Sequence, residues 1–249
     1  MNKTRYLLLV LLLLMGNHLF AQNEDIAVHA WGGGADLRDL SFGFSFSSVN
    51  SYYKIDKTPN WRSPYLDPIN NYQPVTGNVN SISSSYSPGF GVGFLTRYTI
   101  TDNLEIRITP SLIFIDKLLN YTYDTTPAIT KTVSTTTVDV PLLIKIKSDR
   151  IGNFRAYMLG GVKYSQAIGS KVNSDADAAP LDKLVNNIGG YGSYEAGLGC
   201  DIYFEFFKLS PEIKLSNSFG NVLYHENNAF SSPISKLTLH TLMFTLYFE

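Results

Sequence analysis

From Ser41 to the C-terminus the apolar positions of the chain recur at every second residue. Phe42, Phe44 and Phe46 alternate with Ser41, Gly43, Ser45 and Ser47. Phe90, Val92 and Phe94 alternate with Gly89, Gly91 and Gly93. Leu104, Ile106 and Ile108 alternate with Glu105, Arg107 and Thr109; Leu112 and Phe114 keep that phase. Val138, Val140, Leu142, Ile144 and Ile146 alternate with Asp139, Pro141, Leu143, Lys145 and Lys147. Similar runs pass through Phe154 and Tyr164, from Tyr194 to Phe204, from Leu209 to Leu215, and from Leu242 to Phe248. Side chains of a strand point to opposite faces in turn, so each run has one apolar face and one polar or glycine-rich face. The pattern predicts eight strands, at 40–54, 86–100, 103–118, 132–147, 153–169, 190–206, 208–217 and 235–249. Beyond the first twenty residues a period of 3.6 is missing, except for one candidate at Ala178–Asn187 within a connection.

The connections alternate in length. Long ones fall at 55–85, 119–131, 170–189 and 218–234; short ones fall at Thr101–Asn103, Ser148–Asn153 and around Phe207. Long outer loops and short periplasmic turns mark an outer-membrane barrel. In lipid every backbone N–H and C=O must be paired internally, so a sheet has to close on itself. Its apolar face then meets acyl chains and its polar face turns inward. Most of the runs exceed the ~9–11 residues a tilted strand needs to cross. A secreted β-sandwich also has period-two strands, but nothing in its topology demands loops of alternating length. The expected fold is all-β: an eight-stranded antiparallel up-and-down transmembrane β-barrel over 38–249.

The N-terminus sharpens this reading. Lys3 and Arg5 precede an unbroken apolar run from Tyr6 to Met15, and Leu19-Phe20-Ala21 ends it. A cationic start, a short apolar core and a small residue before the cut describe a secretory signal peptide, expected at 1–21 with cleavage near Ala21 after Sec-dependent export. The run is short for a membrane-spanning helix. Residues 22–37, with Trp31-Gly32-Gly33-Gly34, are expected to form a short periplasmic segment.

Composition narrows the chemistry. Lys+Arg number 20 against Asp+Glu 21, so there is no cationic excess for nucleic acid. A single cysteine, Cys200, excludes a disulfide scaffold and a cysteine-based zinc site; by phase it faces lipid. Only 16% of residues are charged, which is low for a chain whose surface meets water. Tyr52, Tyr53, Tyr86, Tyr121, Tyr164 and Tyr191 are expected at the outer rim, and Tyr98, Phe204, Phe206, Phe207 and Phe248 at the inner rim, where amphipathic rings favour both interfaces.

The inward faces carry charges of both signs: Arg97, Glu105, Arg107, Asp139, Lys145, Arg155, Lys163, Glu195, Asp201, Glu205, Glu212 and Lys214. An eight-stranded barrel is just wide enough for side chains to fill. Buried charges there must pair, because an unpaired one costs several kcal/mol. The expected role is a structural ionic plug; the sharper alternative is a proton or ion path. Catalysis has little to stand on. His18, His29, His225 and His240 are the histidines, G-x-S-x-G does not occur, and Gly91-Val92-Gly93 leads into no helix. His225 and Glu226 read as a solvated loop pair, and His240 as an inward member of the plug. No catalytic residue, cofactor, metal or small-molecule substrate is expected.

Strands four to seven carry a specific resemblance. Val140-Pro141-Leu142-Leu143-Ile144-Lys145-Ile146-Lys147-Ser148-Asp149-Arg150 leads into Asn153-Phe154-Arg155-Ala156-Tyr157, followed by Gly160-Gly161 and Tyr164. Tyr194-Glu195-Ala196-Gly197-Leu198-Gly199-Cys200-Asp201-Ile202-Tyr203 and Phe206-Phe207-Lys208-Leu209-Ser210-Pro211-Glu212-Ile213-Lys214-Leu215-Ser216 come next. With Leu40–Ser45 and Ser87–Phe90, this resembles the PorT family of small outer-membrane barrels. The resemblance implies a part in the type IX secretion system, which exports proteins with C-terminal sorting signals and in some bacteria supports gliding. Outer-membrane lipid and other secretion components are the implied partners. The long first loop and Ile26–Ala35 depart from the family. The alternative reading is a generic small barrel that anchors the envelope or binds ligands with its outer loops.

Overall fold

In the computed structural model the described residues are 36, 38–68, 71–168 and 179–249. The expected signal peptide, and the lead segment apart from Asp36, lie outside them. Eight strands close into one antiparallel ring in which every neighbour in sequence is a neighbour in space. Strand one is Leu40–Lys57. Strand two has two parts, Val79–Ser85 and Ser87–Thr101. Strand three also has two, Leu104–Ile108 and Ser111–Tyr123. Strands four to eight are Ile129–Lys147, Phe154–Ile168, Gly190–Tyr203, Lys208–Ser218 and Ile234–Phe248. Strand eight pairs back onto strand one, with Phe248 opposite Phe44 and His240 opposite Tyr52. This closure leaves no long edge to pair with another chain.

The two interruptions have separate causes. Pro110 cannot donate to a ladder, yet the register survives it: Ile108 lies opposite Thr96 and Ser111 opposite Gly93. At Tyr86 an extra residue enters strand two, since Ser85 faces Leu118 while Gly89 faces Ile115. Such a bulge flips the side-chain phase. Odd positions face inward below Tyr86, and Ile82 is buried above it. Strands one and two pair from Leu40–Tyr98 up to Ser51–Ser87. Beyond that point the Tyr53 N–H donates to Ser84 Oγ at 3.0 Å.

The strands run further outward than the alternation predicted. Val79–Ser85 reads as Ser-rich loop but is strand, and 119–131 shrinks to a hairpin connection because strands three and four extend to Tyr123 and from Ile129. Ala178 of the helix candidate at 178–187 lies outside the described residues; the rest is a turn at Ala179–Asp182 followed by a short ladder, Asn186–Asn187 with Leu223–Tyr224. That ladder ties two outer loops together.

The outward face is apolar and exposed through the middle of the ring, as at Phe44, Phe94, Ile144, Met158, Leu198 and Phe244. Among the described residues no helix is long and apolar enough to cross a membrane; the crossing is made by strands. The interior is filled at two levels. Toward the short turns it is ionic. Toward the long loops it is apolar, which sequence periodicity did not predict. There Phe230, from the last long loop, is fully buried among Leu119, Tyr121, Ile234, Leu237 and Val222. Tyr121 meets the Phe230 ring edge-on at 5.3 Å and donates its hydroxyl to the Phe230 carbonyl at 2.7 Å. Asn228 shapes the loop, since its Oδ1 accepts from the N–H groups of Phe230 and Ser231 at 3.0 and 2.7 Å. Tyr53 and Tyr121, expected at the outer rim, instead point into this plug, and Tyr191 packs against it. Tyr86 and Tyr164 are exposed on the outward face, and the Tyr52 ring lies 4.8 Å from that of Tyr86.

Candidate functional site

The ionic half of the interior is built by residues that share the inward phase of their strands. Glu105 on strand three is its centre. Arg97, Arg107, Lys145 and Lys147 place nitrogens 3.6, 3.2, 3.3 and 3.0 Å from its carboxylate. Asp201 takes Lys145 at 2.8 Å and the Ser210 hydroxyl at 2.6 Å. Glu212 takes Arg107 at 3.0 Å and the hydroxyls of Tyr157 and Tyr247 at 2.9 and 3.3 Å. The Arg107 guanidinium also lies 5.0 Å from the Tyr247 ring centre. One level further out, Lys163 bridges Asp139 and Glu195 at 3.0 and 3.1 Å, and Lys214 reaches Glu195 at 3.3 Å. Arg155 does different work at the short-turn rim. It donates to the carbonyls of Ser148 and Asp102 at 2.6 and 2.8 Å, tying two turns together.

Eleven of the twelve residues named from sequence line this interior or its rim. Glu205 does not. Strand six ends at Tyr203, and Glu205 is exposed in the turn at 204–207. Alternation carried past the end of a strand misplaces whatever follows. His240 is a second correction. It shares the outward phase of Leu242 and Phe244 and stacks on Tyr52 with ring centres 5.3 Å apart. His225 and Glu226 do not pair either: His225 Nε2 lies 3.1 Å from the Ser235 carbonyl, while Glu226 accepts from Asn186 and Asn228.

Among the described residues, five further charged side chains belong to the interior. Lys117, Lys147 and Lys208 sit in the inward phase of strands three, four and seven, so strict parity would have found them. Glu249 lies one step beyond strand eight, and its carboxylate turns in to Arg97 and Lys208, both at 2.6 Å. Asp36 carries no local signal, because it precedes the first strand. At the mouth its carboxylate meets Lys208 and Arg97 and accepts a hydrogen bond from the Tyr203 hydroxyl. Burial alone would raise its pKa. The Lys208 cation, the Tyr203 hydrogen bond, and Arg97 and Lys147 outweigh that and hold the carboxyl well below the usual carboxylate range.

The model of outer-membrane protein β-barrel domains matches residues 20–224. The chain belongs to this family. Solved structures of small outer-membrane barrels resemble it in fold. OprG from Pseudomonas aeruginosa has a TM-score of 0.45 and 12% identity, over 83% of this chain and 93% of that one. Neisserial surface protein A has 0.40 and 8%, over 84% and 98%. Ail, the attachment invasion locus protein of Yersinia pestis, has 0.37 and 12%, over 85% and 99%. No curated protein matches the chain. Family membership sets the frame: the exposed apolar belt faces outer-membrane lipid, and in barrels of this kind the short turns are periplasmic and the longer loops extracellular.

Between the two filled levels the barrel keeps a cavity of about 20 Å³, lined by Ser51, Lys117, Thr137, Asp139, Lys163 and Tyr191 among others. That is room for one water. Ser51 Oγ and Asp139 Oδ1 are buried without a hydrogen-bond partner in the protein. Lys117 has no carboxylate within ion-pair distance among the described residues; its Nζ stands 5.8 Å from the Tyr53 ring centre. A water can accept from Lys117 while donating to Asp139, which a monatomic ion cannot do. Among the described residues no group of three or more His, Cys, Asp and Glu could hold a metal ion.

Proposed function

We propose that this outer-membrane barrel supports type IX secretion of proteins with C-terminal sorting signals, without catalysis, through contacts with other secretion components. The observation that carries the reading is the sequence of strands four to seven, Val140–Ser216, and its resemblance to the PorT family. An N-terminal signal peptide ending near Ala21 fits export to this membrane. The interior supports a scaffold in place of a conduit. Charged side chains fill one half and the Phe230 plug fills the other, so no lumen remains for a cargo protein and any conduit must be another component.

A clean deletion tests the role. The secreted and periplasmic proteomes are compared with the parent strain. Loss of proteins with C-terminal sorting signals from the medium, their accumulation inside, and restoration by a plasmid copy support it. Unchanged export overturns it and brings forward the reading as envelope anchor or loop-mediated binder. That second reading draws on the ordered outer cap, where the Trp61 ring has Lys57 Nζ 3.9 Å from its centre and Tyr65 donates to the Asn227 carbonyl.

A further inference from the structure

Every lysine and arginine on strands two to seven takes the inward phase of its strand, from Arg97 to Lys214. Strands one and eight differ. Lys54 shares the outward phase of Phe44 and Phe46, and Lys236 that of His240, Leu242 and Phe244. In register Lys54 lies opposite Thr238, and Asp56 lies opposite Lys236. The two lysines are therefore diagonal neighbours on one face, with Cβ atoms ~7–8 Å apart. Lys57, at the end of strand one, turns instead to the Trp61 ring, with Nζ 3.9 Å from its centre.

The pair sits just beyond the outer end of the apolar belt, on the seam. Phe46, Leu242 and Phe244 are exposed below it. Between belt and lysines runs a row of three rings across strands two, one and eight. Tyr52 lies 4.8 Å from Tyr86 and 5.3 Å from His240. Rings with an apolar body and a polar tip favour the headgroup level of a membrane. With the long loops outside, that level is the headgroup region of the outer leaflet. The patch also has a sign. Asp56 is the one outward carboxylate on strands one and eight, against the two lysines. Anionic headgroups and their phosphate oxygens complement such an excess.

We propose that the outer end of the seam is a docking site for the anionic, phosphate-bearing headgroup of an outer-leaflet lipid. Lys54 and Lys236 hold the phosphate, the ring row flanks the headgroup, and the acyl chains lie on Phe46, Leu242 and Phe244. One lysine belongs to the first strand and the other to the last. A lipid held by both bridges the closure of the ring from its outer side. This assignment rests on the outer-membrane placement of the barrel and is independent of the type IX reading.

The test is native mass spectrometry of the full mature chain in detergent, with phosphatidylglycerol and phosphatidylcholine of identical acyl chains as probes. The chains cancel, so the difference in retention reads the headgroup. Wild type should retain phosphatidylglycerol at least about fivefold better, the worth of one lysine at a lipid surface. Lys54→Gln with Lys236→Gln should abolish the preference, and Asp56→Asn should raise it. Lys183→Gln, in the connection between strands five and six, should leave it unchanged. Heat-modifiable mobility on gels confirms folding of each variant, and the single lysine variants carry the test if the double one does not fold. Equal retention of the two lipids by wild type, or a preference that survives loss of both lysines, overturns the proposal. So does a loss in Lys183→Gln as large as in the double variant, since the attraction would then be diffuse. Displacement of the lipid by inorganic phosphate would assign the patch to a soluble anion and overturn it as well.

Discussion

Phe44 and Phe248 stand opposite each other across the seam where the last strand meets the first, their rings stacked at 5.1 Å and 10°. The pair sits on the lipid face, and Phe46 joins it edge-on at 5.9 Å from Phe44. Closure of the ring thus has an aromatic clasp as well as a hydrogen-bond ladder. Stacked pairs contribute ~0.5–1.5 kcal/mol beyond their area. A double-mutant cycle of Phe44→Ala and Phe248→Ala, read by urea unfolding in lipid vesicles, should return a coupling of about that size. Strict additivity would remove the clasp.

Glu105 and Glu205 make a matched contrast. Both were named from sequence as interior, but Glu105 is enclosed by four cations while Glu205 is exposed in a turn. Removing one partner of a buried ionic group costs ~3–5 kcal/mol, and a surface change away from special features stays within about 0.5 kcal/mol. Glu105→Gln should therefore lower the urea midpoint strongly, and Glu205→Gln should leave it unchanged. Equal effects would mean that the ionic half does not behave as a buried network.

The contrast also shows where the sequence was legible. The ring was, because lipid outside and charge inside impose a period of two and closure with every pair antiparallel demands an even strand number. The outer plug was not. Tyr53, Tyr121 and Phe230 are the same residue types that mark a rim, and nothing local distinguishes a ring turned inward from one turned outward. Phe230 comes from a loop whose return into the mouth is a tertiary event. The bulge at Tyr86 reverses the phase of a Ser-rich segment, so period-two reasoning fails there for a stated geometric cause. Asp36 was invisible for a related reason, since its partners lie far along the chain at Arg97, Tyr203 and Lys208.

Lys117 should behave unlike Lys163. Lys163 holds two carboxylates, whereas Lys117 faces the small cavity and no carboxylate at ion-pair distance. Replacing a buried charge that lacks a partner with an apolar group of similar volume is often neutral or stabilising. Lys117→Met should match or exceed wild-type stability, and Lys163→Met should lose about 3–5 kcal/mol. A loss at Lys117 as large as at Lys163 would show that Asp139 depends on the amine.

The Asp36 contact should be insensitive to mild acid. Its carboxyl is held well below the usual range in the folded protein. A depressed pKa contributes stability that is present above the unfolded value and lost as pH falls through the folded one. The difference in melting temperature between wild type and Asp36→Asn should stay constant from neutral pH to about 5, and shrink only below the unfolded carboxylate range near 3.9. A difference already gone at pH 5 would mean that the carboxylate is not held by these cations.

Phe230 separates stability from permeability. Its side chain is fully buried, so Phe230→Ala should cost ~3–5 kcal/mol. The substitution empties only the outer half. Arg107, Glu105, Lys145 and Glu212 still fill the periplasmic half, with side chains 0% exposed. In planar bilayers Phe230→Ala should therefore remain as closed to ions as wild type, despite the lost stability. Steady conductance in Phe230→Ala alone would place the seal in the outer loop and weaken the scaffold reading. Conductance that appears only when Glu105→Gln is added would assign the seal to the ionic half. It would also explain why a barrel of this width carries so many charges where lipid surrounds it.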